Sequence, residues 1–203
     1  MVLNGGTLAS IDPHPYVDPD TNQKYLYIVC DKAAGQVGIA VMEMENWLKP
    51  KWDTFRFIAH PCYYTVEDYL KFNRDNERVA RVTYENNDNR INEGPAVMKH
   101  NGKYYLSFSV NSYGTSDYQI GQAVADSPLG PFRKLTEEEG GLLLSALAVE
   151  SQPAGETSTQ APSGTGHHSF VTAGNQTFIV YHRHRDYETA GADRYTAIDE
   201  IKW

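Results

Sequence analysis

The chain has 203 residues, 40% hydrophobic and 22% charged, which suits one globular domain with a sizeable core. Its formal charge of −8 would repel a phosphate backbone, and its Lys and Arg are scattered rather than gathered in a stripe, so the expected partner is not nucleic acid. No apolar run reaches the roughly 20 residues of a membrane span, and Met1 to Gly6 lacks the basic start and apolar stretch of a signal peptide, so neither a membrane partner nor an export signal is expected.

The 14 Tyr, 7 Phe and 3 Trp fall mainly in period-2 segments, the pattern of pleated strands. In chain order, strands are predicted over 12–18, 23–29, 37–44 and 54–60, with connections short enough for a four-stranded antiparallel meander. An inserted segment, 61–92, follows. Within it Thr65 stands three residues before Asp68, and Val66, Tyr69, Leu70 and Phe72 have near-helical spacing, so a short helix is expected in 65–83.

A second set of strands is predicted over 94–100, 103–110, 118–125 and 130–136. Its first hairpin turns at Asn101-Gly102, a pair that readily takes the positive φ of a type I′ turn. Residues 146–166 are small, polar and rich in Gly, Ser, Thr and Pro, and read as a long loop. Strands at 167–173, 176–184 and 194–203 close the chain. The whole, residues 1–203, reads as a single all-β domain built from repeated four-stranded antiparallel units, the grammar of β-propeller blades.

Few residues announce chemistry by spacing alone. Cys30 and Cys62 have no ligand spacing and read as small hydrophobes. His182 and His184 alternate along a strand and so share a face, but no third ligand is placed beside them. Asp18 and Asp20 read as turn formers, and the acidic run 136–141 as a solvated turn. The aromatic residues read mainly as packing, with stacking on sugar rings as their functional alternative.

Four stretches carry a more specific signal: "IDPHPYVDPDTNQKYLYI", "NEGPAVMKHNGKYYLSFSV", "YQIGQAVADSPLGPFRK" and "GTGHHSFVTAGNQTFIVYH". In this order they resemble successive blade motifs of glycoside hydrolase family 43, the five-bladed propeller arabinanases, arabinofuranosidases and β-xylosidases. The resemblance implies hydrolysis of O-glycosidic bonds in arabinose- or xylose-containing glycans, with inversion. By it, Glu93 falls on the general acid that protonates the departing oxygen. Asp12 falls on the aspartate that keeps that acid protonated, as a nearby like charge does.

His167 matches a histidine that helps hold a structural calcium ion (Ca2+) at the axis, and Arg194 an arginine that points toward the substrate pocket. The first motif here corresponds to the family's second blade, so the resemblance implies an incomplete set of about three to four blades. It places no catalytic base in the chain. An open set of blades leaves sheet edges and a core face uncovered, for which self-association is the expected remedy. A carbohydrate is the expected partner. A non-catalytic sugar-binding propeller is the competing expectation, and the compartment is not read from the sequence, although family members are often secreted or periplasmic.

Overall fold

The computed structural model describes residues 2–3, 6–7, 10–33, 36–61, 82–85, 91–145, 163–184 and 193–203. The predicted helix lies outside them except for 82–83, which belong to a turn, and most of the predicted 146–166 loop also lies outside. Among the described residues the only helical turn is a 3₁₀ turn at Trp52–Thr54, and no helix is long and apolar enough to cross a membrane.

A short hairpin joins β1 (Val2–Leu3) and β2 (Gly6–Thr7). The first sheet then runs β3 (Ser10–Val17), β4 (Lys24–Ala33) and β5 (Gln36–Asn46), with β6 (Lys49–Pro50) and β7 (Arg56–Ala59) both paired to β5. The second runs β8 (Asn92–His100), β9 (Lys103–Val110) and β10 (Gln119–Ala125), with β11 (Arg133–Lys134) and β12 (Leu142–Leu144) both paired to β10. The third runs β13 (Ser163–Ala173), β14 (Gln176–His184) and β15 (Arg194–Ile201). All pairings are antiparallel, and the three sheets form an incomplete β-propeller.

Two expectations need correction. The outer strand of the first two blades is not one continuous run but two short pieces on the same neighbour. In the second blade a turn interrupts it: the Gly141 amide donates to the Thr136 carbonyl at 2.7 Å, and Gly140 has φ 80°, so the chain folds back before β12. The loop predicted over 146–166 ends earlier than expected, because Ser163–Gly166 already belong to β13. Its Gly and Thr composition hid a strand whose start pairs irregularly with β14, at Ser163 and Gly166.

Period-2 alternation decides which faces are buried. Tyr25, Tyr27, Val29, Ile39 and Val41 point to one side of the first sheet and pack with Val97, Tyr104, Leu106, Phe108 and Val110 of the second. The intervening Ile28, Cys30, Ala40, Met42 and Met44 form a separate cluster on the other side. A third cluster, centred on Ile120, Ile179 and Tyr181, joins the second blade to the third. Each such side chain contributes about 1.5–3 kcal/mol through burial. Tyr27, fully buried, also donates from Oη to the Pro128 carbonyl at 2.6 Å, tying the first blade to the second.

The predicted hairpin turn is present, with φ 48° at Asn101 and 74° at Gly102. Strand β8 contacts both β3 and β13, so the first strands of the three blades meet. Half-buried His14 of β3 fastens this meeting. Its Nε2 accepts the Val97 amide of β8 at 3.1 Å, and burial pushes its pKa down to about 4, which keeps that nitrogen bare.

Candidate active site

The three first strands share one irregularity. Register slips between Ile11 and His14 in β3, between Glu93 and Ala96 in β8, and between Gly166 and Ser169 in β13. At each slip the first extra residue takes a left-handed backbone: Asp12 (φ 51°), Gly94 (φ 56°) and His167 (φ 50°). Glycine adopts this freely and aspartate tolerates it, whereas histidine pays about 1 kcal/mol or more. These bulges re-aim side chains at the strand head, as bulges beside sites commonly do.

The bulged residues meet. The Gly94 amide donates to Asp12 Oδ2 at 3.2 Å, and His167 Nε2 lies 3.7 Å from Asp12 Oδ1. A Cβ on Gly94 would come within 3.3 Å of His167 Nδ1, so the glycine serves the close approach as well as the backbone angle. The His167 amide donates to Ser109 Oγ at 2.8 Å, and Ser109 is the β9 partner of Glu93. Glu93, half-buried, accepts at Oε1 the hydroxyl of Tyr118, 2.7 Å away. The sequence-derived trio of Glu93, Asp12 and His167 is thereby gathered at one end of three adjacent strands.

Arg194 opens β15 opposite His184 and is exposed, its guanidinium carbon 5.6 Å from the centre of the Tyr113 ring. Its positive charge is felt at His182, whose pKa falls to about 4, first through burial and then through that charge. The His182 ring stacks on Tyr118 at 5.5 Å and 18°. His182 and His184 do share a face, with ring centres 6.3 Å apart.

Sequence reasoning gave no role to Tyr118, His182, Ser109 or His168. His168, beside the singled-out His167, is buried, bonds Ser107 Oγ through Nε2 at 2.5 Å and has no hydrogen-bond partner at Nδ1 among the described residues. Burial, then the neighbouring His14 and His167, push its pKa down to about 3. The alternation of "YHRH" was the available sign for His182. Tyr118 gave none, since its role depends on another strand.

The residue before Glu93 is anchored from below. Buried Lys134 of β11 donates to Asn92 Oδ1 at 2.9 Å and also to Glu85, while Asn92 Nδ2 donates to Glu85 at 3.2 Å. The His60 carbonyl accepts from the same ammonium. Four segments of chain converge on this cluster and hold the start of β8.

Calcium fits this donor set poorly. The ion takes 6 to 8 oxygen ligands, and His167 with Asp12 offers one carboxylate. Among the described residues no group of three or more His, Cys, Asp and Glu side chains converges as a metal site.

Chemically, a carboxyl group with one oxygen fixed by a phenol, beside a second carboxylate and under basic and aromatic side chains, is equipped to bind hydroxyl-rich ligands and to transfer a proton. Several known proteins match the chain in sequence or in fold. It is 36% identical over 110 residues to a β-D-galactofuranosidase of Aspergillus niger, a match covering 54% of this chain and 28% of that protein. It is 30% identical over 95 residues to an arabinoxylan arabinofuranohydrolase of Paenibacillus polymyxa, covering 44% of this chain and 13% of that protein.

Among solved structures, a thermostable family-43 glycoside hydrolase superposes with a TM-score of 0.72 at 30% identity, covering 96% of this chain and 55% of that one. An endo-1,4-β-xylanase of Bacteroides thetaiotaomicron, at a TM-score of 0.65 and 23% identity, covers 94% of this chain and 54% of that one and shares the fold. The chain thus spans about half the length of these structures. The model of glycosyl hydrolases family 43 matches residues 3–203, and the chain belongs to that family.

Proposed function

We propose that the chain hydrolyses O-glycosidic bonds of arabinose- or xylose-containing glycans with inversion, Glu93 acting as general acid. The observation that carries this reading is the Glu93 carboxyl at the head of β8, with Oε1 bound by Tyr118 and the next residue bonded to Asp12. Glu93 gives a proton to the glycosidic oxygen as the bond to the anomeric carbon breaks, and water adds to that carbon from the opposite face. Asp12 accepts the Gly94 amide and so holds the backbone beside the acid in place. Arg194 and Tyr113 border the site and bind sugar hydroxyls and ring faces. No described carboxylate is assigned here as the base that activates the water.

The test is hydrolysis of aryl α-L-arabinofuranoside and aryl β-xyloside, with the anomer of the product followed by NMR. Turnover that Glu93→Gln lowers by about 10²- to 10⁴-fold supports the reading. Sugar binding without turnover would instead make the chain a non-catalytic carbohydrate-binding propeller. The proposal includes self-association through the outer face of the first blade. There Leu26, Ile28, Met42, Trp47 and Trp52 line an open apolar groove of about 280 Å³, beside Leu48, which is 94% exposed.

A further inference from the structure

Tyr118, the first residue of the "YQIGQAVADSPLGPFRK" stretch, is held unusually firmly. Its side chain is fully buried, and His182 stacks on one face of the ring. Gly166 presses so close that a Cβ there would lie 2.0 Å from Tyr118 Cε1, which gives that glycine its structural reason. The Ser109 side chain lies close enough to the phenol to favour its ionised form, against the effect of burial. Ser109 Oγ accepts the His167 amide at 2.8 Å, and Tyr118 Oη donates to Glu93 Oε1 at 2.7 Å. Ser109, the β9 partner of Glu93, thus ties the β13 backbone beside the phenol while the phenol itself holds one oxygen of Glu93 in a low-dielectric interior.

We infer that Tyr118 is a positioning residue for the proposed acid: it engages Oε1 of Glu93 as an acceptor and leaves Oε2 as the oxygen that carries and delivers the proton. The inference rests on the reading of Glu93 as general acid. As the proton leaves Oε2, the departing alcohol oxygen takes it and keeps the electron pair of the broken C–O bond, while water forms the new bond to the anomeric carbon and releases a proton to bulk solvent, from which Glu93 is reprotonated. Negative charge then appears on the carboxylate. The phenol bond to Oε1 becomes charge-assisted and roughly doubles in strength, so it stabilises the transition state more than the ground state. Burial, and then the charge of Glu93, raise the Tyr118 phenol well above its ordinary value, so it remains a donor.

A leaving group that needs protonation exposes this role, and one that departs unaided does not. The full chain and its variants are assayed on 4-methoxyphenyl and 2,4-dinitrophenyl α-L-arabinofuranosides. Glu93→Gln should lower kcat/KM on the first by about 10²- to 10⁴-fold and spare the second. Tyr118→Phe, which keeps the packed ring, should lose about tenfold on the first and less than about twofold on the second, the worth of one hydrogen bond. Ser109→Ala should shift the ratio in the same direction by less, and it decides the question if Tyr118→Phe does not fold.

Equal losses on both substrates, or none, in a chain whose Glu93→Gln variant does discriminate, overturn the role of Tyr118 and leave the acid in place. Absence of turnover on both substrates, or a Glu93→Gln variant indifferent to leaving group, overturns the acid and the inference together.

Discussion

Asp18 shows how much a single turn residue can carry. Its Oδ1 accepts the Asp20 and Thr21 amides at 2.9 and 3.0 Å, the turn-forming role its position suggests. It is also buried, and the Tyr104 hydroxyl and the Lys99 ammonium, 3.1 Å from Oδ2, donate to it from the second blade. Burial opposes its charge, but the bonds from Tyr104, Lys99 and the two amides prevail and hold its carboxyl well below the usual carboxylate range. A depressed folded pKa contributes stability that is present above the unfolded value, near 4, and lost as pH falls toward the folded one. Asp18→Asn should therefore cost about 2 kcal/mol at neutral pH, and the difference between the two proteins in urea melts should narrow below about pH 4.

At the scale of elements, the bulges and the cluster beneath β8 deliver the site. The bulges set direction, since each places a left-handed residue at the strand head, and the Lys134 cluster sets position, since it fixes Asn92 against β11 and residues 82–85. Both Lys134 and Glu85 are almost fully buried. Removing the cation from such a pair costs about 3 kcal/mol or more, because the carboxylate stays in a poor solvent. Lys134→Met is expected to lower stability by that amount in chemical denaturation. It should also lower turnover on both aryl arabinofuranosides alike, in contrast to Tyr118→Phe, because it loosens all of the β8 start.

For the molecule as a whole, the junctions between blades are where acid acts. His14, His168 and His182 sit at contacts among β3, β8, β9, β10, β13 and β14, and burial lowers all three, to about 4, 3 and 4. Their unfolded values lie near 6.5, so between that pH and about 4 the unfolded chain binds more protons and stability falls as pH falls. Buried His168 alone should contribute about 1.4 kcal/mol per pH unit over that window. Thermal midpoints measured from pH 7 to pH 4.5 should drop steeply, and His168→Asn should flatten the slope. A chain whose stability is level across this range would show that these histidines are not buried neutral at the junctions.

Alternation and turn chemistry were legible because they are local. Period-2 aromatics placed nearly every strand and Asn101-Gly102 placed a turn, whereas Asp12, Glu93 and His167 were singled out through the resemblance of their stretches to family motifs. The breaks in the outer strands were not legible, since two short pieces on one neighbour leave the same composition as a single frayed strand. Nor was the early start of β13, where glycine and serine stand in for β-formers because His184 and Tyr118 crowd Gly164 and Gly166 too closely for any Cβ. The sequence by itself determined the all-β class and the blade grammar. Only the tertiary structure decided that three bulges converge, that Tyr118 holds Glu93 and that His182 covers Tyr118, because those contacts join residues far apart in the chain whose distance the chain order does not contain.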